Sequence, residues 1–451
     1  MYEVRKIAGC FFLAVFLLLL PLNGTSQNRF VLDEGKKSDR IAFKLLNNLM
    51  LIPVTINGVE LTFLLDTGVS STILFGAAVQ DSLRLQNKKS IKIQGLGQNG
   101  SVSAYKSVNN KIKIGAAYDL NHSLYVVYDE SLNFSPRMGV PIHGIIGYDF
   151  FRSFLVRTNY MSKTIKFWDP RNHDFKNCRN CESFDIVLNN KKPFVTTKMT
   201  IQDSMKYTTL LVDSGSSDAV WLFDEFNVFS NGPTKYFEDF LGLGLSGDIH
   251  GKRSRIQQLK LGDFVLKDVH VAIPEAESIA KARKYAKRDG SLGGEFLRRF
   301  TVFYDYPNNR IKLRKNSNFS DPFHYNMSGI TVAHDGIEMI KEKFSSFNSS
   351  DYFTDRAGQS QQYTGVSLVE ESRIVLVPRY IIAAVSKGSS AARMGLEVGD
   401  EIIEINGAAA HKMQLSELNE LFRSKEGRTV TLRVRNNNVE SKVKITLKKI
   451  L

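Results

Sequence analysis

The feature that most constrains this chain is a short segment that occurs twice. It reads FLLDTGVSST at Phe63–Thr72 and LLVDSGSSDA at Leu210–Ala219, an offset of 147 residues. Further pairs follow in the same order at nearly the same offset: GLGQNG and GLGLSG, KIKIG and QLKLG, IIGYDFF and SLGGEFL, NYMSKTIKF and DYPNNRIKL. These ordered matches indicate an internal duplication that produces two lobes of about 145 residues each.

The local patterns in both lobes are those of β-strands. The segment LIPVTINGVELTFLLDTG alternates apolar and polar residues around Asn57-Gly58, which is a strong β-hairpin signal. SIKIQGLGQNGSVSAYKSV reads as two alternating arms around a glycine-rich tip. Helical patterns are few and short, such as Ile279–Arg288. We therefore predict a mainly β fold.

The glycine-rich tips also fit a dinucleotide-binding fingerprint. That motif binds a pyrophosphate only where it follows a strand and begins a helix. The residues after each tip, SVSAYKSV and DIHGKRSR, carry no apolar helical stripe, so we exclude a nucleotide site. A hairpin tip, in which glycines supply positive φ angles, is the better interpretation.

Each lobe places one aspartate directly after an apolar strand. Asp66 precedes Gly68 and Asp213 precedes Gly215, so both carboxylates enter a tight turn. A lone Asp in a turn is ordinary turn chemistry, but two buried carboxylates are costly without a purpose. If the lobes bring them face to face, they share one proton, because like charges at close range cannot both ionise. Such a pair can activate a water and protonate a scissile carbonyl.

These motifs resemble a bilobed aspartic peptidase, of the bacterial kind with retroviral-like lobes, from about Asn47 to Lys315. The resemblance implies two β-barrel lobes, at 27–172 and 173–318, with Asp66 and Asp213 as the catalytic dyad. Thr67 and Ser214 would bond across the lobes. Gly68 and Gly215 would allow the tight turns. The hairpin tips would cover the substrate cleft with Gly95, Leu96, Gly97, Gly100, Gly242, Gly244 and Gly247.

The two aspartate loops differ at one position. Val69 follows the catalytic glycine in lobe one, whereas Ser216 follows it in lobe two. In the family, a hydroxyl there donates to the aspartate. We hypothesise that Ser216 makes Asp213 the more acidic member and that Asp66 more readily holds the shared proton. The tyrosine that pepsin-like enzymes carry before the hairpin tip is missing; Tyr105 lies beyond the tip.

The C-terminal third, 319–451, is a linker followed by a different domain. GSSAARMGLEVGDEIIEING at Gly388–Gly407 resembles a bacterial PDZ domain, a small β-sandwich with helices and a core at about 363–451. We predict a helix at Leu415–Phe422 and a peptide groove along Tyr380, Ile381 and Ile382 with Leu415 and Leu418. Alternatively, the module only docks on the protease body and stiffens it. The polar stretch Lys343–Gln362 is predicted to be a loop.

The first residues have the composition of a targeting segment. Arg5 and Lys6 precede the apolar run Phe11–Leu20, and small residues follow, so 1–26 reads as a secretory signal peptide. Cys10 in IAGC resembles a lipid-anchor site, but it precedes the apolar run instead of following it. No later stretch has the length of a transmembrane helix, so we expect an exported protein, periplasmic or extracellular in a bacterium.

The distribution of charge and the cysteine content argue against nucleic-acid-binding, redox and zinc proteins. The formal charge is +14, but the basic residues are dispersed without aromatic clusters, so nucleic acid is not an expected partner. Cys178 and Cys181 in CRNC are interpreted as a local disulfide in preference to a redox pair or a zinc site with His173. Neither a His-Glu-x-x-His zinc motif nor a Gly-x-Ser-x-Gly elbow occurs.

These patterns together predict an exported aspartic endopeptidase with a PDZ domain for peptide binding or regulation. It would need no metal or organic cofactor and would act on peptides or unfolded proteins. Protein C-termini are candidate ligands of the PDZ domain. Because both lobes lie in one chain, we expect a monomer. The alternative is an inactive peptide-binding scaffold on the same fold.

Overall fold

The computed structural model describes residues 29–76, 83–85, 88–176, 178–223, 229, 232, 235–284, 288–354, 360–449 and 451. The predicted signal peptide, 1–26, and the alternative lipid-anchor residue Cys10 lie outside these ranges. Within them, no helix has both the length and the apolar character needed to cross a bilayer.

Lobe one is built almost entirely from strands. They are β1 (Val31–Leu32), β2 (Ser38–Ala42), β3 (Lys44–Leu46), β4 (Leu49–Ile56), β5 (Val59–Leu65), β6 (Thr72–Phe75), β7 (Lys89–Ile93), β8 (Val102–Ile114), β9 (Ala117–Val127), β10 (Gly144–Ile146), β11 (Leu155–Asn159) and β12 (Thr164–Trp168). The helices are single turns, α1 (Ser135–Met138) and α2 (Tyr148–Phe151), with a 3-10 turn at Glu130–Leu132. The main sheet has the order β1-β9-β6-β10-β5-β4-β8-β7, and β3 pairs with β4.

Lobe two repeats this arrangement. Its strands are β13 (Glu182–Asp185), β14 (Val187–Asn189), β15 (Lys192–Ile201), β16 (Ser204–Val212), β17 (Val220–Leu222), β18 (Phe237–Gly244), β19 (Gly247–Leu261), β20 (Phe264–Pro274), β21 (Gly290–Leu292), β22 (Phe300–Asp305) and β23 (Arg310–Lys315). Its helices are α3 (Ala276–Lys284) and α4 (Gly294–Leu297), with 3-10 turns at Tyr306–Asn308 and Ser317–Ser320. The sheet order is β14-β15-β16-β21-β17-β20-β19-β18.

The predicted hairpin at Asn57-Gly58 is confirmed. Strands β4 and β5 pair antiparallel from Ile56↔Val59 to Leu51↔Leu64. Both turn residues have positive φ, 49° at Asn57 and 92° at Gly58, which Asn and Gly tolerate better than other residues. The strand that leads into Asp66 is thereby fixed in register.

A six-stranded sheet joins the lobes. Its order is β13-β23-β22-β11-β12-β2, with three strands from each lobe. At its centre β11 and β22 pair antiparallel, from Val156↔Tyr304 to Asn159↔Thr301. Each of these strands ends where the last repeated segment of its lobe begins, at Asn159 or Asp305, so an approximate twofold relation follows from the duplication. One hydrophobic cluster extends through both lobes. The mainly β prediction is confirmed.

The C-terminal unit has its own sheet, of order β24-β25-β26-β28-β29. Its elements are β24 (Ile330–Thr354), β25 (Ser360–Val385), α5 (Ser390–Arg393), β26 (Glu401–Ile405), β27 (Ala408–Ala409), a 3-10 turn (Ala410–Lys412), α6 (Leu415–Phe422), β28 (Thr429–Asn436) and β29 (Val439–Thr446). The helix predicted at Leu415–Phe422 is confirmed. A capping box between Gln414 and Glu417 fixes its start.

Two local predictions are corrected. The stretch Lys343–Gln362 was expected to be a loop, but its described residues lie in β24 and β25, paired from Lys343↔Ser372 to Tyr352↔Gln362. Strand pairing satisfies the backbone of a long ribbon whatever its side chains, so polar composition misled the prediction. The helix expected at Ile279–Arg288 is instead Ala276–Lys284, and Arg288 lies outside it.

Candidate active site

The two aspartates occupy equivalent positions at strand ends. Asp66 follows β5 and its N–H donates to the carbonyl of Ile146 at 2.8 Å. Asp213 follows β16 and its N–H donates to the carbonyl of Leu292, also at 2.8 Å. In each lobe the receiving strand, β10 or β21, runs parallel to the strand before the aspartate. The repeated sequence therefore produces a repeated backbone geometry.

Reciprocal hydrogen bonds between Thr67 and Ser214 join the two loops. The Thr67 N–H donates to Ser214 Oγ and the Ser214 N–H donates to Thr67 Oγ1, both at 3.0 Å. Each hydroxyl also donates across the lobes, Thr67 Oγ1 to the carbonyl of Val212 at 2.6 Å and Ser214 Oγ to that of Leu65 at 2.9 Å. Both side chains are buried. Because these groups cannot rebond to water, the interlock holds the loops in one relation.

Gly68 and Gly215 let the two carboxylates approach. The Gly68 N–H donates to Asp66 Oδ1 at 2.6 Å, and the Gly215 N–H donates to Asp213 Oδ1 at 3.1 Å. A Cβ on Gly215 would lie 2.3 Å from Asp66 Oδ2, and one on Gly68 would lie 2.8 Å from Asp213 Oδ1. Each glycine thus touches the carboxylate of the opposite lobe, which places Asp66 and Asp213 face to face.

Burial dominates the electrostatics of Asp66. It raises the pKa of this carboxyl to about 7, and the neighbouring charge of Asp213 acts in the same direction. The Gly68 N–H and the positive charge of Lys192 oppose the rise in pKa. A side-chain hydrogen bond between the two aspartates also favours protonated Asp66. At neutral pH the pair can therefore hold one proton and one negative charge.

Asp213 has a different set of neighbours. Arg288 Nη2 lies 3.9 Å from Asp213 Oδ2, and Ser291 Oγ donates to the same oxygen at 3.4 Å. Arg288 Nη2 in turn donates to Ser291 Oγ at 2.6 Å, and its guanidinium lies 4.5 Å from the ring centre of Phe223. Burial lowers the pKa of Arg288 to about 10, with both aspartates opposing the change, so it remains charged at neutral pH.

The hydroxyl expected beside Asp213 belongs to a different serine. Ser216 Oγ packs against Gly293, 3.0 Å from the position a Cβ would take there, and Ser291 makes the contact with Asp213. Arg288, Ser291 and Lys192 were missed in the sequence analysis. Ser291 begins SLGGEFL, where the first lobe has Ile145, so comparing the repeats position by position would have identified this difference.

A cavity of about 790 Å³ opens in front of the dyad. Asp66, Gly68, Asp213 and Gly215 form part of its lining, with Lys192, Arg288 and Ser291. The hairpin tips contribute Gly95, Leu96, Gly242 and Gly244, and the C-terminal unit contributes Gly329 to Val332, Asn419 and Arg423. The volume is in the range of known ligand-binding clefts.

The two glycine-rich tips meet above this cavity. Ser246 joins them: its N–H donates to the carbonyl of Leu96 at 2.8 Å, and its hydroxyl donates to that of Gly100 at 2.6 Å. The Asn99 N–H donates to the carbonyl of Ser246 at 2.7 Å. The close approach needs glycine, since a Cβ on Gly97 would lie 2.3 Å from the Ser246 carbonyl oxygen and one on Gly247 would lie 2.5 Å from Asn99 Nδ2.

The peptide groove of the C-terminal unit was predicted along the wrong strand. Tyr380, Ile382, Leu415 and Leu418 are all buried in the core of the unit. Strand β25 is hydrogen-bonded on both sides here, because it pairs with β24 and the Ile382 N–H donates to the carbonyl of Asp400 at 2.9 Å; Ile381 pairs with Glu401. A strand paired on both sides cannot accept a peptide.

Cys178 and Cys181 form a disulfide that packs beside Leu155, Phe175 and Phe303. His173, the third candidate zinc ligand, stacks on Trp168 at 4.5 Å. In the described ranges, no group of three or more His, Cys, Asp or Glu residues is arranged to hold a metal ion.

Comparisons with known proteins bear on both parts of the chain. A family model described as aspartyl protease matches residues 52–150, and a PDZ domain model matches residues 381–436. The chain is also similar to the crystal structure of an aspartic proteinase from Irpex lacteus, at 13% identity and a TM-score of 0.42, covering 63% of this chain and 99% of that one. No curated protein sequence matches it. The resemblance to aspartic peptidases and PDZ domains is confirmed.

Proposed function

We propose that this protein is an aspartic endopeptidase that hydrolyses peptide bonds with a water activated between Asp66 and Asp213. The observation that carries the proposal is the face-to-face pair, in which each glycine turn touches the opposite carboxylate. A raised pKa of about 7 at Asp66 gives the pair a proton donor near neutral pH. The cavity before the pair has room for an extended peptide.

The proposed reaction uses the two carboxylates in complementary roles. Asp213, as carboxylate, removes a proton from the water while the water oxygen attacks the scissile carbonyl carbon. Asp66 donates its proton to the carbonyl oxygen, so a neutral tetrahedral diol forms. The carbon–nitrogen bond then breaks as the proton on Asp213 passes to the leaving nitrogen and a diol hydroxyl returns its proton to Asp66. No charge accumulates on the substrate, and the dyad is regenerated.

The Thr67–Ser214 interlock supports these roles by positioning. It fixes the loops without touching the substrate, so it holds the carboxylates at one separation through the reaction. The joined tips would exclude water from the bound peptide. We also propose export through the N-terminal targeting segment, which agrees with a disulfide between Cys178 and Cys181.

The test is cleavage of a random peptide library by the full-length mature protein from about pH 3 to about pH 8. Asp66→Asn and Asp213→Asn should each abolish the cuts, whereas Asp263→Asn, an exposed aspartate of lobe two, should leave them unchanged. If cleavage persists in either dyad variant, another site must be responsible for it.

A second measurement addresses the scaffold alternative. A peptide carrying a hydroxyl in place of the scissile carbonyl mimics the tetrahedral state and should raise the unfolding temperature of the wild type. If the protein shows neither cleavage nor this stabilisation at any pH, the result would favour a peptide-binding scaffold.

A further inference from the structure

The two sides of the cleft are formed by equivalent hairpin turns. In lobe one, the pair Leu46↔Leu49 closes the hairpin of β3 and β4, and in lobe two, the pair Asn189↔Lys192 closes the hairpin of β14 and β15. Two residues with positive φ form each turn. Leu49 and Lys192 both line the cavity before the dyad. They are therefore matched positions on opposite sides of the approximate twofold relation, and one is apolar while the other is cationic.

The lobe-one side of the cleft is an apolar wall. Leu49 packs against a hydrophobic cluster that contains Ile142 and Ile145, and all three side chains line the cavity. An apolar substrate side chain placed against this wall would lose its contact with water, which is favourable. A charged side chain there would lose hydration without gaining a partner, which is unfavourable. This wall therefore suits an apolar residue.

The lobe-two side carries a fixed positive charge at Arg288. Its Nε donates to the carbonyl of Gly290 at 3.1 Å, and its Nη2 donates to Ser291 Oγ at 2.6 Å. These contacts hold Nη2 3.9 Å from Asp213 Oδ2. Because the side chain is buried and bonded through two of its nitrogens, it adds its charge to the cleft without being free to turn towards a ligand.

Lys192 is the second cation of this side, and it lacks a direct partner. Among the residues that the structure describes, its ammonium forms no hydrogen bond or ion pair. Burial and the charge of Arg288 lower its pKa, and the charges of Asp213 and Asp66 oppose that change. With one proton shared by the dyad, one negative charge faces two positive ones. A further carboxylate would compensate the second cation.

The other acidic residues of the cavity lining are already engaged elsewhere. Asp218 and Asp239 contact Arg253 at 2.7 and 2.5 Å, and Glu295 lies 3.7 Å from Arg299 Nη2. The negative charges that act on Lys192 are those of the dyad. The described part of the protein therefore leaves Lys192 available to a carboxylate that arrives with a ligand.

We propose that Lys192 binds the carboxylate of an acidic side chain beside the scissile bond, while the apolar wall of lobe one binds an apolar side chain on the other side of that bond. A peptide that crosses the dyad has one residue on each side of the bond, and the twofold relation places these residues against matched walls. The inference rests on the proposed peptidase function and adds its substrate class, which is polypeptides cut between an apolar residue and Asp or Glu. Lys192 determines specificity and takes no part in the bond-breaking steps.

The test is a competition between peptides that differ only at the two residues flanking the cut. Four otherwise identical, uncharged peptides carry Leu-Glu, Leu-Gln, Glu-Leu or Gln-Leu there, and mass spectrometry follows their cleavage by the full-length mature protein in one reaction. In one of the two orders, the Glu peptide should have a kcat/KM about tenfold above that of its Gln counterpart, the usual effect of a charge-assisted contact. In the other order the ratio should be one or less.

The pH dependence of this ratio separates charge from shape. A Glu carboxylate becomes protonated as the pH falls through about 4, so the Glu preference should be present above that pH and disappear below it. Because both peptides compete for the same enzyme, a change in the pKa of the dyad affects their cleavage alike and leaves the ratio unchanged.

Exchange of the matched wall residues assigns the preference. Lys192→Leu should abolish the Glu preference, and Lys192→Arg should retain it. Lys191→Leu is the matched control, because it removes a positive charge from the exposed neighbouring residue, and it should leave the ratio unchanged. The double exchange of Leu49→Lys with Lys192→Leu should reverse the preferred order of Glu and Leu around the cut.

Two results would overturn the inference and leave the peptidase proposal intact. One is equal cleavage of Glu and Gln peptides in both orders by the wild type, and the other is a Glu preference that survives Lys192→Leu. If neither these peptides nor the random library is cut, the proposed function fails and the inference fails with it. Circular dichroism establishes that each variant is folded, and Lys192→Leu decides alone if the double exchange is not.

Discussion

The two lobes have nearly the same backbone but present different side chains to the dyad. Around Asp66 the cavity lining includes Leu49, Ile142 and Ile145. The strand registers place Lys192, Arg288 and Ser291 at the equivalent positions of lobe two. Lobe one therefore contributes an apolar wall to the cleft, and lobe two contributes two cations and a hydroxyl. The charges of Lys192 and Arg288 act on both carboxylates. Duplication preserved the geometry of the pair, while divergence at three wall positions made its two members unequal.

This inequality favours Asp66 as the holder of the shared proton in the proposed mechanism. Desolvation by its surroundings raises the pKa of Asp66, whereas Arg288 and Ser291 contact Asp213. In a symmetric pair the proton would have no preferred site. Under the proposed peptidase mechanism, the unequal walls would give each carboxylate one role from the start of the reaction. Three sets of substitutions test how far the comparison of the lobes extends.

The largest effect is expected at the glycine turns. A Cβ on Gly215 would lie 2.3 Å from Asp66 Oδ2, whereas a Cβ on Gly68 would lie 2.8 Å from Asp213 Oδ1. Because the first contact is tighter, Gly215→Ala should reduce kcat/KM by about a hundredfold or more, and Gly68→Ala by about tenfold. Equal losses, measured on variants with wild-type circular dichroism, would show that the two turns constrain the dyad alike.

A smaller effect is expected from exchanging one wall residue between lobes. Lys192 lowers the pKa of Asp66, so Lys192→Leu, which copies Leu49, should raise it further. If Asp66 must be protonated for catalysis, the alkaline limb of kcat/KM should move to higher pH by about half a unit to one unit. Lys191→Leu, at the exposed neighbouring residue, should leave the limb in place. A shift to lower pH in Lys192→Leu would contradict the assigned roles.

The smallest effect separates the two candidate hydroxyl positions. Ile145→Ser copies Ser291 and should give Asp66 a donor, which lowers its pKa and moves the alkaline limb down by a few tenths of a unit. Val69→Ser copies Ser216, whose hydroxyl packs on Gly293, and should leave the limb unchanged. A downward shift in Val69→Ser with none in Ile145→Ser would restore the original hypothesis about Ser216.

The sequence predicted the features that depend on internal repetition and on the alternation of apolar and polar residues. The duplicated lobes, the hairpin at Asn57-Gly58 and the strand ends that carry Asp66 and Asp213 all follow from local patterns. Contacts between distant segments could not be read in this way. The contact of Arg288 with Asp213 joins residues far apart in the chain, and no spacing rule marks it.

The C-terminal unit shows the same limit. Its helix was predicted at about the position it has, because capping and apolar spacing are local signals. Its peptide groove was predicted along a strand that is paired on both sides, because edge status depends on which strands pair on either side; the last strand of the described sheet is β24, which begins at Ile330. Ile330 and its neighbours precede the recognised PDZ-like motif by tens of residues, so they carried no local signal of their own.

The joined tips have a topological consequence. With Ser246 bonded to Leu96 and Gly100, the hairpins, the two lobes and the dyad loops close a ring around the cleft. An internal stretch of a long chain can enter a closed ring only if the hairpins separate. A chain end can thread through while they stay together. If the proposed peptidase function holds, the ring would favour substrates that present an unfolded chain end, whatever their side chains.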